Sequence, residues 1–214
     1  MELSLYHLVR QPKVQQDKSP LLLLLHGYGS NEEDLFSFAA QLPDEYLIIS
    51  ARAPYAMPGG YGHAWYAIDF DADMNKFTDD VQAVQSRDAI AAFIDEVVDA
   101  YPVDKDNITL IGFSQGAILS YAVALTHPEK TSRVAALSGY LHNTIIGDIN
   151  SKDLSKLRFF VSHGIVDQVI PVDWARKAPE FLKTLGLDVE YHEYNVGHGV
   201  APQNFYDLLN WLNK

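Results

Sequence analysis

The chain has 214 residues, 48% of them hydrophobic and 21% charged, which fits one globular domain over 1–214 and leaves little room for a second. Its 28 acidic and 16 basic residues give a formal net charge of −12, which repels phosphate backbones and anionic lipid headgroups. Nucleic acid and stable membrane association are therefore not expected. The absence of cysteine rules out disulfides, thiolate nucleophiles and cysteine zinc sites.

The N-terminal stretch Met1-Glu2-Leu3-Ser4-Leu5-Tyr6-His7 has no basic start followed by an apolar run and does not read as a signal peptide. The expected location is cytoplasmic. Leu3–Val9 reads as an edge strand. Leu21–Leu25, bounded by Ser19-Pro20 and His26-Gly27, reads as a strand buried on both faces and is far too short to span a bilayer. Ser30 with Glu33 forms a capping-box pattern that predicts a helix over Asn31–Leu42. Tyr46–Ser50 is the next predicted strand. The segment 52–73, rich in Pro, Gly and aromatics, is read as a long ordered loop, a length that is often functional.

Asp79–Tyr101 has helical periodicity, with Val81, Val84, Ala91, Ile94, Val97 and Val98 inward, and Pro102 stops it. Strands are then predicted at Ile108–Phe113, Val134–Leu137, Arg158–His163 and Asp188–Tyr194. Helices are predicted at Gln115–Thr126, Trp174–Leu185 and Pro202–Asn213. Alternating strands and helices define an α/β fold with a mostly parallel central sheet and helices on both faces. Sites in such sheets lie beyond the carboxyl ends of the strands.

At one such end stands Gly112-Phe113-Ser114-Gln115-Gly116, a G-x-S-x-G run between a strand and a helix. That context is what a nucleophile elbow requires, and it makes Ser114 the candidate nucleophile. A serine hydroxyl needs a base, and the base needs an orienting acid, in the chain order Ser, Asp, His for this kind of elbow. His198, between Gly197 and Gly199 just past a predicted strand, is the candidate base. His163 is the nearest rival and is read as structural support near the acid loop. His192 is read as solvent-facing, His127 as a helix C-cap, and His142 lies in a polar loop. Asp167 follows the strand ending at His163 and is the candidate acid; Asp173 is read as a helix N-cap, and Asp148 and Asp153 have no strand before them.

Attack by Ser114 on a carbonyl creates an oxyanion that backbone N–H groups must stabilise. The N–H of Gln115 and that of Tyr28, in His26-Gly27-Tyr28-Gly29-Ser30, are the candidate donors, with His26 a structural hydrogen-bonding residue below them. The glycine-rich run matches neither a P-loop nor a dinucleotide fingerprint. Met57, Tyr61, Trp65 and Tyr66, with Ile68 and Phe70, give the 52–73 loop an apolar surface for a substrate pocket; anchoring that loop to the core is an equal alternative. Exposed aromatics there are compatible with a homodimer. No metal or organic cofactor is expected, since no His-Glu-x-x-His run exists.

Leu25-His26-Gly27-Tyr28-Gly29, Gly112-Phe113-Ser114-Gln115-Gly116, the stretch from His163 to Pro171 and Gly197-His198-Gly199 together resemble the carboxylesterase/phospholipase family, which includes acyl-protein thioesterases and small bacterial carboxylesterases. The likeness runs from Leu21 to Leu212. It implies a minimal α/β-hydrolase fold without a large lid, a Ser114–Asp167–His198 triad, and action on carboxylic esters or thioesters. The segment Tyr61–Asp69 departs from the shorter Trp-Phe-Asp form of the thioesterases, and Asn31–Leu35 is closer to the bacterial branch; both favour small soluble esters over protein depalmitoylation. An amide or peptide hydrolase on the same fold, or a ligand-binding protein on this scaffold, remain the alternatives.

Overall fold

Leu21–Leu25 send alternate side chains to opposite faces of a strand. In the computed structural model each face meets its own core: Leu21, Leu23 and Leu25 pack on one side, Leu22 and Leu24 on the other. The structure describes residues 3–70 and 76–214, with the side chains of 69, 70, 76 and 77 also outside the description, so the Phe70 side chain and positions 71–73 of the predicted loop fall outside it.

In chain order the elements are β1 (His7–Arg10), β2 (Ser19–Leu25), α1 (Glu33–Phe36), β3 (Leu47–Ala51), β4 (Tyr55–Ala56), β5 (His63–Ala64), β6 (Ile68–Phe70), β7 (Lys76–Thr78), α2 (Asp80–Ala100), β8 (Val103–Phe113), α3 (Gln115–Thr126), β9 (Arg133–Leu137), β10 (Arg158–Gly164), α4 (Val172–Thr184), β11 (Asp188–Tyr194) and α5 (Pro202–Leu212). Seven strands form one sheet in the order β1-β3-β2-β8-β9-β10-β11. Only β1 is antiparallel, paired with β3; the other pairings are parallel. The α/β fold with a mostly parallel sheet is thus as the sequence predicts. Residues of α2, α3 and α4 cover one face; Leu35 of α1 and Phe205, Leu208 and Trp211 of α5 cover the other.

After β2 the chain turns to one side for β3, and after α2 it returns to the other side of β2 for β8. The strand order therefore reverses between β2 and β8, and their carboxyl ends open the crevice where α/β sheets place ligands. Leu25 lies beside Gly112 there, and Phe113 beside Leu137.

The helix α3, mostly apolar, is buried along its whole length. By contrast α4 and α5 each bury one stripe. In α2, Asp79 caps the start by accepting from the Gln82 N–H at 2.9 Å. Val81, expected inward, is exposed, because the buried stripe of α2 runs through Ala83, Ser86, Ile90, Phe93 and Val97 and Val81 stands on the opposite face. The predicted helix over Asn31–Leu42 is only one turn of α-helix, Glu33–Phe36. Beyond it the bonds tighten to i→i−3, from Phe38 N–H to the Leu35 carbonyl, Ala39 to Phe36 and Gln41 to Phe38. The capping box is not made: Asn31 Oδ1 accepts from the Glu33 N–H, while the Ser30 hydroxyl donates to Asp34. Asp173 lies inside the first turn of α4, not at its cap, and accepts from Arg176 at 2.7 Å.

The C-terminal helix is fixed to the sheet by Arg133 of β9. Its buried guanidinium donates to the Leu212 carbonyl at 3.1 Å and to the Trp211 carbonyl, and it lies 4.2 Å from the centre of the Trp211 ring.

Candidate active site

Ser114 follows β8 directly and has φ 52°, ψ −114°, a conformation that costs a non-glycine residue energy. The turn is held from both sides. The Ser114 N–H donates to the Leu137 carbonyl at 2.9 Å, and α3 starts at the next residue. Gly116 must lack a side chain, because a Cβ there would stand 2.0 Å from the Leu25 carbonyl oxygen. That contact presses the start of α3 against the end of β2.

Asp167 and His198 reach Ser114 from the ends of β10 and β11. Their loops are brought together at Gly164, where a Cβ would meet the carbonyl oxygens of Val196 and Gly197 at 2.3 Å. Backbone bonds from Ile165 N–H to the Tyr194 carbonyl (2.8 Å) and from Val166 N–H to the Val196 carbonyl (3.3 Å) close the approach. The result is a continuous line. His198 Nδ1 lies 2.7 Å from Asp167 Oδ2, and His198 Nε2 lies 2.9 Å from Ser114 Oγ. A carboxylate only accepts, so Nδ1 carries the proton and Nε2 is free to accept from the hydroxyl. The Phe113 ring, with its centroid 5.0 Å from that of His198, supports the imidazole from the side.

Burial pushes the Asp167 carboxyl upward, but the backbone N–H of Ile170, the His198 ring and the backbone N–H of Val169 together outweigh it and hold it below the usual aspartate value. Asp167 Oδ1 accepts both N–H bonds, at 2.8 Å from Val169 and 2.9 Å from Ile170. His163 stands behind the same carboxylate. Its Nε2 donates to the Ile170 carbonyl at 2.8 Å and lies 3.3 Å from Asp167 Oδ2, in keeping with its reading as support.

On the opposite flank, the N–H groups of Tyr28 and Gln115 have no acceptor among the described residues. The Tyr28 and Gln115 residues border, with Ser114 and His198, a cavity of about 230 Å³ that is otherwise lined by Tyr66, Ile68, Ile118, Val169 and Ile170. Of the expected pocket residues, Tyr66 and Ile68 are on this cavity. Met57 lines a neighbouring one of about 180 Å³ that also touches Tyr28. Tyr61 is exposed and lines neither, and Trp65 is fully buried beneath them. The anchoring alternative therefore describes Trp65. The segment read as a long ordered loop carries short strands: β4 pairs with β5 within it, and β6 pairs with β7 just beyond its end, both antiparallel.

Several residues at the site escaped the sequence reading. Ile118, Val169 and Ile170 line the cavity, and no local pattern distinguishes them from core. The Gln115 side chain is buried and bonded on both ends; a lone amide opening an otherwise apolar helix was the available signal, since a buried polar group needs partners. His192 is half-buried, with its ring centroid 5.4 Å from that of Phe160, so it does not simply face solvent. His127 is the C-cap residue of α3, its N–H donating to the Val123 carbonyl. His142 bonds Asp80 at 2.8 Å. Among the described residues, no three metal-ligating side chains converge, and no helix is long and apolar enough to cross a membrane.

A strained serine between a strand and a helix, at the reversal point of a parallel sheet, defines the α/β-hydrolase class. Comparison with known proteins agrees. A family model described as Phospholipase/Carboxylesterase matches residues 8–214, and the chain belongs to that family. It is 32% identical to acyl-protein thioesterase 1 of Aspergillus fumigatus, over 90% of this chain and 86% of the relative. Among solved structures it superposes on esterase PE8 with a TM-score of 0.83 and 26% identity, covering 100% of this chain and 99% of that one. The carboxylesterase of Bacillus cereus gives a TM-score of 0.83 over 98% of this chain and 94% of its own, at 22% identity. The chain is thus a hydrolase of the carboxylesterase/thioesterase kind.

Proposed function

We propose that this protein hydrolyses carboxylic esters, and thioesters by the same chemistry, through an acyl-enzyme on Ser114. The observation that carries the reading is the unbroken line from Asp167 Oδ2 through both nitrogens of His198 to Ser114 Oγ.

His198 Nε2 takes the hydroxyl proton as Oγ forms a bond to the carbonyl carbon, and the carbonyl π electrons become an oxyanion. The N–H groups of Tyr28 and Gln115, without acceptors of their own, receive that charge. Asp167 stabilises the imidazolium without taking its proton. Collapse of the tetrahedral intermediate breaks the bond to the alcohol or thiol, which leaves with the proton from His198. Water, deprotonated by the same Nε2, then attacks the acyl carbon and releases the acid and the free serine. The apolar wall of Tyr66, Ile68, Ile118 and Ile170 suits the acyl chain. The departure at Tyr61–Asp69 and the likeness of Asn31–Leu35 to the bacterial branch favour small soluble esters as substrates.

A graded panel of p-nitrophenyl esters and acyl thioesters tests the reading. Ser114→Ala should lower kcat roughly 10⁴- to 10⁶-fold, and a fluorophosphonate should label the native chain once, at Ser114. Hydrolysis by Ser114→Ala at the native rate would remove the proposal.

A further inference from the structure

The two N–H groups assigned to the oxyanion come from segments far apart in sequence, yet one chain of buried hydrogen bonds joins them. The Gln115 side-chain carbonyl accepts from the Trp65 N–H at 2.8 Å, and its amide nitrogen donates to the Tyr66 carbonyl at 2.8 Å. A backbone N–H only donates and a carbonyl only accepts, so the amide has one possible orientation. The Trp65 indole N–H then donates to the His26 carbonyl at 3.0 Å. The His26 ring continues the chain. Its Nε2 receives the Ala53 N–H at 3.0 Å and is therefore unprotonated. Its Nδ1 must then carry the hydrogen, and donates it to the Gly27 carbonyl at 2.7 Å.

The Gly27 carbonyl and the Tyr28 N–H belong to the same peptide unit. That unit is planar and trans, so its N–H points opposite to its C=O. Fixing the oxygen fixes the direction of the donor. A hydrogen bond to the oxygen also polarises the unit and strengthens the N–H as a donor. At the other end, Gln115 carries the second donor on its own backbone, and its side chain is tied at two points.

We propose that His26, Trp65 and Gln115 form a bracket of positioning residues that sets the direction and spacing of the two oxyanion donors, and that the β4–β6 segment serves the reaction as this bracket's crosspiece. The inference rests on the assignment of Tyr28 and Gln115 as those donors. Burial holds the His26 imidazole below the ordinary histidine value, although the Gly27 carbonyl opposes it, which agrees with a ring that keeps a single proton. A bracket that only stiffened the core would contribute to stability and leave the transition state untouched.

The experiment compares the native enzyme with Trp65→Phe, which removes the indole N–H and keeps the backbone bond to Gln115, and with Gln115→Met. Each is assayed on a short p-nitrophenyl ester and titrated with a trifluoromethyl ketone, which forms a tetrahedral adduct with a catalytic serine. A misaimed donor loses part of what a deleted one would. We expect kcat to fall roughly 10- to 100-fold, with KM changed by no more than about threefold. The inhibition constant of the ketone should rise by the same factor as kcat falls. Variants that fold and keep kcat and the ketone constant within about twofold of native would overturn the bracket, as would a fall in kcat with the ketone constant unmoved. If Gln115→Met does not fold, Trp65→Phe carries the test alone. Failure of the proposed serine mechanism itself looks different: the ketone would not inhibit the native enzyme, and Ser114→Ala would stay active.

Discussion

The two flanks of Ser114 are made of opposite materials. On the acid flank stands an ionised carboxylate, Asp167, supplied with two backbone N–H groups and two imidazole nitrogens. On the flank of Tyr28 and Gln115, the proposed oxyanion donors, the hydrogen-bonded groups are peptide and amide dipoles and a neutral histidine. In the proposed mechanism the acid flank stabilises a full positive charge on His198, and a facing anion does so even when its geometry relaxes slightly. In the same mechanism the flank of Tyr28 and Gln115 meets a charge that exists only briefly, and neutral dipoles do that only if they are aimed beforehand.

Charge on the acid flank should thus matter more than any one bond on the other. Asp167→Asn preserves shape but offers an amide that can hold the wrong tautomer of His198; kcat should fall about 10⁴-fold, far beyond the effect of Trp65→Phe. Steady-state kinetics on both variants measures the gap, and equal losses would erase the distinction. His163→Leu leaves the charge in place and removes a donor behind it. Its kcat should fall roughly tenfold, and loss of the partner of the Ile170 carbonyl should destabilise the fold by about 1–3 kcal/mol. Urea unfolding beside the kinetic assay separates the two effects.

The smallest effect sharpens the neutral side. Because the folded His26 sits below its ordinary value of 6.5, the unfolded chain takes up a proton first as the pH drops. Stability from this group is therefore complete above pH 6.5 and is lost as pH falls through the lower folded value. The melting temperature should decline from about pH 7.5 to about pH 5.5, and His26→Asn should be less stable at the upper pH but show a shallower decline. Parallel declines in both proteins would place the titration elsewhere.

The alternation of strands and helices was readable because each strand end carries a turn signal and each buried strand is a short apolar run, as in Leu21–Leu25. Ser114, Asp167 and His198 could be placed near one another for the same reason: each lies within four residues of the end of a parallel strand of one sheet. Local pattern failed where a tertiary partner decides. Ser30 and Glu33 have the capping-box spacing, but Ser30 bonds Asp34 instead and the turns tighten. Asp173 has the residue type of a cap, yet α4 begins one residue before it. Trp65 reads equally as a pocket wall or an anchor, because nothing nearby in sequence reveals that Gln115, fifty positions on, accepts its N–H. Hydrogen bonds of that span leave no periodic trace in the chain.

Arg133 carries a practical consequence for handling the protein. Its guanidinium is desolvated beneath α5 and relies on the carbonyl oxygens of Trp211 and Leu212. Trimming Asn213 and Lys214 spares both acceptors. Cutting into the final turn would strand an arginine in an apolar setting, at a penalty of several kcal/mol, and would uncover the sheet face that Trp211 seals. Fusion partners or immobilisation linkers on this side should accordingly leave every residue of that turn in place.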